Sequence, residues 1–314
     1  VVGIGGAGDV MILRHNRAAA LEEGHTMKKH ALRSVVMVGA AALLLAGCGG
    51  GSSDGASAAL PGGTAYAGPV GDGEGAINIL AWPGYAENGS TDPAVDWVTP
   101  FETATGCKAN IKTFGTSDEA VSLMQGGGYD VVSASGDATL RLIYGDLVQP
   151  VNTDLVPSYA DIFEGLKNKT FNSVDGQMYG IPHGRGANLL AYNPAVVSPA
   201  PDSWGAVFDA NSPYAGKVTA YDSPIYIADA ALYLMKTKPE LGIKDPYALD
   251  QTQFDAAIAL LGDQKKIIGE YWGDYLKNID AMQKGTTVLG TTWQVNLNYA
   301  NADGEVVKGI LPKE

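Results

Sequence analysis

The sequence predicts an α/β fold in two lobes, and two observations support this. The first is size and composition: the 314 residues are 46% hydrophobic and 18% charged, which suits a globular chain with two separate cores. The second is pattern, because short apolar runs alternate with helical stretches from residue 76 onward. Strands that alternate with helices indicate βα units and parallel sheets. We expect one lobe over residues 76–180 and a second mainly over 181–314.

The N-terminal region resembles an export signal that ends in a lipid attachment site. A basic segment at residues 27–33 precedes an apolar run at 35–46, which is too short to span a bilayer. The run ends in Leu45-Ala46-Gly47-Cys48, which resembles the lipobox of bacterial lipoproteins. We therefore predict a lipoprotein signal peptide at 27–47. A lipid on Cys48 would anchor the protein to the outer face of the cytoplasmic membrane, in a periplasm or at the cell surface. A short buried helix is the alternative interpretation of the run.

Two further N-terminal segments flank that signal. Residues 48–75 are rich in Gly, Ser, Ala, Thr and Pro, so we predict a flexible tether there. Residues 1–26 precede the predicted start at Met27 and contain a formal G-x-G-x-x-G match over residues 3–8. A dinucleotide site needs a strand before this motif and a helix after it, and only two residues precede it. We interpret 1–26 as upstream translated sequence without a role.

In the first lobe, periodicity predicts three strands and three helices. The strands are expected at 77–81, 107–114 and 129–132, and the helices at 93–103, 117–125 and 138–144. The helix at 93–103 has Trp97 and Phe101 spaced four residues apart on one face. Ser117 stands where the next helix begins, so we predict that it caps this helix. Each strand is thus followed by a helix, as the α/β class requires.

The second lobe continues the alternation. Strands are expected at 187–192, 217–221 and 287–291, and helices at 204–209, 226–236, 253–261 and 278–284. In open α/β sheets, ligands bind outside the carboxyl ends of the strands. The candidate loops are therefore 82–88, 133–137 and 222–226, which carry aromatic rings, hydroxyls or acids.

Charge and motif content exclude several functions. A net charge of −13 argues against nucleic acid, whose phosphates require basic side chains. Residues 76–314 contain no G-x-S-x-G, H-E-x-x-H or C-x-x-C motif. Three of the four histidines lie at or before residue 30, which leaves His183 alone in the lobes. We expect no cofactor, no metal and no enzymatic activity, with a lipid-anchored hydrolase as the less favoured alternative.

Several motifs, taken in order, resemble one family. They are Trp82-x-x-Tyr85 after the first strand, Tyr-Asp-Val-Val-Ser-Ala-Ser at 129–135, Tyr-Gly-Ile-Pro at 179–182, Trp293, and Pro-Lys-Glu at 312–314. Together with the lipobox and the tether, this order resembles the substrate-binding lipoproteins of bacterial spermidine/putrescine ABC importers, over residues 76–314. The stretch 129–143 most resembles a subfamily assigned provisionally to polyamine import.

The resemblance implies a fold, partners and a site. The implied fold is the two-lobe, hinged, periplasmic-binding-protein-like (type II) fold. The implied partners are permease subunits with a cytoplasmic ATPase, and we expect the binding protein to be a monomer. The implied site lies between the lobes, where Trp82 and Tyr85 flank the methylene chain of the ligand, and Ser135 and Trp293 contribute further contacts.

The departures from the family pattern concern charge. The second-lobe acids that bind ammonium groups in the family fall on Ser223 and Tyr226, with Asp222 one residue early. Asp137 falls where an aromatic ring is usual and could supply an acid from another direction. Arg185 falls where an aromatic or apolar residue is common, and its guanidinium could bind a carboxylate. Two ligands stay open: a spermidine/putrescine-like amine, or a zwitterion such as a 4-aminobutyrate-like amino acid.

Each candidate also has a structural interpretation. The aromatic rings of the first loop could be edge packing, and Trp293 could be core. Ser135 and Asp137 could cap the helix that follows them. Asp222 could stabilise a helix N-terminus through its dipole, and Arg185 could be a surface ion-pair partner.

The family pattern continues beyond Glu314, through a Trp-x-Asp loop that returns to the first lobe. The resemblance therefore implies that the first lobe is incomplete without this C-terminal return. Cys107, the only cysteine besides Cys48, could have a disulfide partner in that part or could be a small buried residue.

Overall fold

The computed structural model describes residues 8–12, 60–90, 92–302, 304 and 306–314. The predicted signal peptide, Cys48 and the first part of the predicted tether lie outside these ranges. So do residues 1–7, which hold most of the glycine motif.

Twelve strands and eight α-helices form the described part of the chain. The strands are β1 Gly8–Ile12, β2 Ala76–Ala81, β3 Lys108–Thr113, β4 Val131–Ser135, β5 Ser173–Val174, β6 Gln177–Met178, β7 Gly180–Gly184, β8 Leu189–Tyr192, β9 Val218–Tyr221, β10 Ile268–Trp272, β11 Leu289–Thr292 and β12 Lys308–Ile310. The helices are α1 Val98–Thr105, α2 Ser117–Gly126, α3 Gly136–Tyr144, α4 Gly205–Phe208, α5 Ile225–Thr237, α6 Gln251–Gln264, α7 Tyr275–Lys284 and α8 Gln294–Ala300.

Two five-stranded sheets share one topology. The first has the order β3-β2-β4-β1-β7 and the second the order β10-β9-β11-β8-β12. Three strands of each sheet run parallel to one another. The middle strand of the three is β2 in the first sheet and β9 in the second. The fourth strand runs antiparallel to its neighbours on both sides. The two-lobe α/β prediction is confirmed, and the predicted parallel pairing is present in both sheets, together with antiparallel pairs that the sequence did not predict.

The strand β1 corrects the interpretation of the upstream segment. Gly8–Ile12 pairs antiparallel with β4, with Val10 opposite Ser133, and also with β7, with Val10 opposite Ile181. The backbone of these five residues therefore completes the hydrogen bonding between two strands of the first sheet. Residues 8–12 have a structural role, although the sequence before Met27 was predicted to have none.

The change of lobe comes later than predicted. β7, at Gly180–Gly184, belongs to the first sheet, and β8, at Leu189–Tyr192, belongs to the second. The chain therefore crosses between the sheets at residues 185–188, here called the crossover, and not at 180.

Most predicted elements are present, with shifted ends. Helix α1 starts at Val98, five residues after the prediction, and Trp97 is an exposed N-cap residue. Helix α2 is capped by Thr116, whose hydroxyl accepts from the Glu119 N–H at 3.0 Å, so Ser117 is not the cap. β7, β10 and α8 were not predicted, and β12 lies within residues 306–311, a strand-like run near the end of the sequence.

Each sheet carries its own core. In the first lobe, α2 and α3 pack against each other and against β4, and Leu80, Val132 and Leu142 are fully buried. In the second lobe, α5 packs on α6, and the core includes Leu190, Leu234 and the fully buried Trp272. Burial of such side chains contributes about 1.5–3 kcal/mol each, so each lobe has its own source of stability.

Residues 60–66, here called the strap, lie against the first lobe. The Tyr179 hydroxyl donates to the Pro61 carbonyl at 2.7 Å, and the Gly62 N–H donates to the Asp146 carboxylate. Asn152 Nδ2 donates to the Tyr66 carbonyl at 3.0 Å. The predicted flexible tether at 48–75 is therefore wrong for the strap, which is held by hydrogen bonds. Across the described ranges, no helix is both long enough and apolar enough to cross a membrane.

Candidate functional site

The parallel strands of both sheets end at loops that carry the candidate residues. Trp82 follows β2, and Ser135 ends β4 where α3 begins. In the second lobe, Asp222 follows β9 and Trp293 follows β11. The chain topology thus places these side chains at the carboxyl edges of the two sheets, as the strand pattern predicted.

An aromatic cluster joins the two lobes; its members are Trp82, Phe114, Tyr221, Trp272 and Trp293. The Trp82 ring lies 4.6 Å from that of Phe114 and, edge-on, 6.3 Å from that of Trp293 across the lobes. Trp293 contacts Tyr221 at 5.0 Å and Trp272 at 4.9 Å. Trp82 and Trp293 are 7% and 4% exposed. Trp82 thus packs on its own lobe and also faces the other, and its contact with a ligand stays a prediction.

The two aromatic residues of the first loop have different ring partners. A turn closes when the Tyr85 N–H donates to the Trp82 carbonyl at 3.0 Å, with Gly84 at a φ of +86°. The Tyr85 ring then stacks on His183 at 4.5 Å. Burial raises the pKa of Tyr85 and lowers that of His183, so both rings are neutral at pH 7. Tyr85 therefore lies beside β7, the strand that carries His183.

A chain of hydroxyls leads to Asp137. Ser135 Oγ lies 3.0 Å from Ser117 Oγ and donates to Asp137 Oδ1 at 2.7 Å. From the second lobe, Ser223 Oγ donates to Asp137 Oδ2 at 3.3 Å. Ser135 occupies the N-cap position of α3 without capping it, since its hydroxyl goes to Asp137. The two residues predicted as alternative helix caps therefore bond to each other.

Asp137 is a buried acid between the lobes. It is 8% exposed, and desolvation raises the pKa of its carboxyl, although hydrogen bonds from Ser135, the Ala138 N–H and Ser223 oppose this. Burial also raises the pKa of Tyr221, with the Asp137 charge adding to the effect. Asp137 therefore lies near the aromatic cluster, and no basic side chain of the described ranges forms a salt bridge with it.

Sequence reasoning missed a second acid, Asp229, on α5. Its Oδ2 accepts from Asn188 Nδ2 at 2.8 Å, and Asn188 Oδ1 accepts from Trp293 Nε1 at 3.0 Å. Burial raises the pKa of Asp229 to about 7, even though the residue keeps some accessible surface. The available signal was one acid in the apolar run Ile225–Leu234, where an unpaired charge is costly.

The other second-lobe candidates are placed differently. Tyr226 is buried in the core, and its hydroxyl bonds with Thr291 Oγ1 at 3.0 Å and Gln264 Nε2 at 2.9 Å. These bonds occupy the hydroxyl within the second lobe, so the structure does not support Tyr226 as a polar ligand contact. Asp222 and Arg185 are exposed, Arg185 on the crossover.

A cavity of about 300 Å³ lies beside this region. Its lining residues are Asp118, Tyr221, Asp222, Ser223, Pro224, Tyr226, Ile227, Leu261, Gln264 and Tyr271. Asp118 comes from the first lobe and the rest from the second, so the cavity opens between the lobes. No group of three or more His, Cys, Asp or Glu residues within the described ranges could hold a metal ion. Within the described ranges, the Cys107 thiol is free and forms no disulfide.

Comparison with known proteins places the chain in a family. The family model described as bacterial extracellular solute-binding protein matches residues 96–314. The putrescine-binding periplasmic protein SpuD of Pseudomonas aeruginosa (strain UCBPP-PA14) is 27% identical over 175 residues, which cover 52% of this chain and 46% of that protein. The match therefore spans about half the length of that relative.

Solved structures show the same fold. The spermidine/putrescine substrate-binding protein PotD from Streptococcus pneumoniae superposes with a TM-score of 0.55 at 18% identity, over 76% of this chain and 68% of that one. A Listeria monocytogenes protein provisionally described as a spermidine/putrescine ABC transporter gives 0.56 at 17% identity, over 76% and 69%. At such identities the likeness concerns the fold alone, and it confirms the periplasmic-binding-protein-like prediction. With more than half of its length matched by the family model, this chain belongs to the bacterial extracellular solute-binding proteins.

Proposed function

We propose that this protein binds a small aliphatic amine of the spermidine/putrescine type outside the cytoplasm and delivers it to an ABC importer. The observation that carries the proposal is Asp137, a buried acid with no basic partner among the described residues, beside an aromatic cluster shared by both lobes. The named ligands of the relatives, putrescine and spermidine, have the matching chemistry.

The energetics favour a cationic ligand. A buried carboxylate without a positive partner is costly, and the raised pKa of Asp137 reflects that cost. A ligand ammonium would favour the carboxylate form and form a charge-assisted hydrogen bond. The aromatic faces of Trp82 and Trp293 add an attraction for cations of about 0.5–2 kcal/mol. The site therefore suits an amine attached to a short apolar chain.

The zwitterion alternative depends on Arg185. This side chain is exposed on the crossover, where solvent weakens an ion pair with a carboxylate. An amine ligand needs no such partner and uses the buried acid instead. The amine is therefore the better-supported ligand, and the zwitterion becomes one arm of the test.

Calorimetry of the purified protein with putrescine, spermidine and 4-aminobutyrate tests the proposal. We expect saturable binding of an amine at one site per chain, with the amine recovered unchanged. Preferential binding of 4-aminobutyrate would favour the zwitterion, and conversion of a bound amine to a product would favour an enzyme.

The importer and the membrane are the proposed partners. The predicted anchor at Cys48 would hold a monomeric binding protein at the outer face of the cytoplasmic membrane. Permease subunits would receive the ligand there. Mass spectrometry of the membrane fraction should find a lipid on Cys48, and Cys48→Ala should leave the protein soluble or unprocessed. An unmodified thiol in protein that begins upstream of Met27 would contradict the anchor.

A further inference from the structure

Asp229 lies on α5, one helical turn after Tyr226, and it is linked to the aromatic cluster through one residue. Asn188 donates to Asp229 Oδ2 at 2.8 Å and accepts from the Trp293 indole at 3.0 Å. Both functional ends of the Asn188 amide are therefore used, which fixes its orientation. Asn188 is the last residue of the crossover. Its side-chain amide therefore links the connection between the lobes to the Asp229 carboxylate and to the Trp293 ring of the aromatic cluster.

The surroundings of Asp229 lack positive charge. The part of the chain that the structure describes gives it Asn188 as a hydrogen-bond partner and no salt bridge. The titratable groups that face it are Tyr226 on its own helix and Tyr247 on the loop before α6. Burial raises the pKa of both hydroxyls, so both are neutral at pH 7. An ionised Asp229 thus needs a positive charge from outside the protein.

Tyr247 is affected by the charges of both Asp229 and Asp137. Burial raises the pKa of Tyr247, and the charges of Asp229 and Asp137 raise it further, so its hydroxyl experiences the charge of one carboxyl from each lobe. The ring of Tyr247 contacts Phe171 of the first lobe at 5.0 Å. Two acids that form no salt bridge within the described ranges therefore act on one tyrosine from opposite lobes.

We propose that Asp229 is the specificity-determining acid of the second lobe and binds a second ammonium group of the ligand. Asn188 is a positioning residue that holds both the Asp229 carboxylate and the Trp293 indole. The inference rests on the proposed function, since it requires an amine ligand. A diamine would use Asp137 and Asp229 together, whereas a monoamine has one ammonium, which binds Asp137, the acid that carries the proposed function.

The test compares putrescine with butylamine on the wild type and on Asp229→Asn. Asn is isosteric with the protonated acid, so this variant should fold. Loss of a charge-assisted hydrogen bond should weaken putrescine by about tenfold to a hundredfold, while butylamine affinity stays unchanged. Asp255→Asn is the matched control, because Asp255 is an exposed acid on α6 that does not line the cavity between the lobes, and it should alter neither affinity.

Proton release gives a second readout. Burial raises the pKa of Asp229 to about 7, so an ammonium that binds it should release protons near pH 7. The binding enthalpy of putrescine should then depend on the ionisation enthalpy of the buffer, and less so in Asp229→Asn. Asn188→Ala should weaken putrescine and shift the tryptophan emission.

The outcomes separate the two proposals. Wild-type protein that binds neither putrescine nor spermidine would overturn the proposed function and this inference with it. Wild-type binding of putrescine with an unchanged putrescine-to-butylamine ratio in Asp229→Asn would overturn the inference alone. Equal loss of both amines would assign Asp229 a structural role and overturn it as well.

Discussion

The Ser223 hydroxyl of the second lobe donates to Asp137 Oδ2 of the first, at 3.3 Å. This hydrogen bond to a buried acid is long, and its donor is a neutral hydroxyl. A ligand ammonium would be a stronger donor. The cross-lobe contact thus marks a point where a cation is favoured between the lobes.

Asp137→Asn should weaken amine binding by about tenfold to a hundredfold, because a charge-assisted hydrogen bond is lost while the shape of the side chain is kept. Ser223→Ala is the control: it removes only the long hydroxyl contact, so amine affinity should change by less than about threefold. Calorimetry on both variants measures this. Equal effects of the two substitutions would show that the charge of Asp137 is not used.

Trp82→Ala should weaken every ligand and also lower stability, since the ring packs on Phe114 and faces Trp293. Removal of a buried Trp typically costs about 3–5 kcal/mol of unfolding free energy. Trp82→Phe, the control, keeps an aromatic face and should lose less of both. Full ligand affinity in a folded Trp82→Ala protein would show that this ring serves packing alone.

The pH dependence of stability should differ between the wild type and Asp229→Asn. The pKa of Asp229 is about 7 in the folded protein against 3.8 in the unfolded chain, so the protonated acid favours folding. That stability is fully present below pH 3.8 and is lost as the pH rises toward 7. The loss is at most about 4 kcal/mol.

Denaturant titrations of the ligand-free proteins between pH 4 and 8 measure this difference. Other carboxyl groups affect both proteins alike, so they cancel in the comparison. The wild type should lose stability relative to Asp229→Asn as the pH rises. Parallel curves would show that Asp229 has an ordinary pKa in the folded protein.

The fold was predictable from the sequence because periodicity and strand–helix alternation are local signals. The site was only partly predictable. Trp82 and Trp293 follow strand ends, so topology places them together. Asp229 was not predicted because it lies inside a helix. Its role in the site depends on a hydrogen bond from Asn188, which is 41 residues away in the sequence. The loop acid Asp222 looked more suitable in the sequence yet is exposed.

Local signals also failed where backbone pairing over long distances decides structure. In the sequence, Gly8–Ile12 is an isolated segment before the predicted signal peptide, and its strand partners lie more than a hundred residues away. The strap has the composition of a flexible linker, and its order comes from Tyr179 and Asn152 of the first lobe. Composition does not reveal such partners.

Arg185→Ala should leave the affinity for putrescine unchanged and should weaken only ligands that carry a carboxylate. The side chain is exposed, and it does not belong to the network around Asp137 and Asp229. Titration of the variant with putrescine and 4-aminobutyrate checks this. Unchanged 4-aminobutyrate affinity would show that Arg185 does not bind the carboxylate of a zwitterion. A loss of putrescine affinity would instead place Arg185 in the amine site.

Gly62→Ala should release the strap from the first lobe while leaving ligand binding intact. Gly62 has a φ of +69°, and a Cβ there would lie 2.0 Å from the Val148 carbonyl oxygen. An L side chain thus adds both backbone strain and a clash with main chain, at a cost of about 1–3 kcal/mol. Gly71→Ala is the matched control, because a Cβ there meets no atom within 4 Å. Hydrogen exchange should show the amides of residues 60–66 losing protection in Gly62→Ala alone, with amine affinity equal in both variants. Retained protection in Gly62→Ala would mean that the Tyr179 and Asn152 hydrogen bonds hold the strap without this close approach.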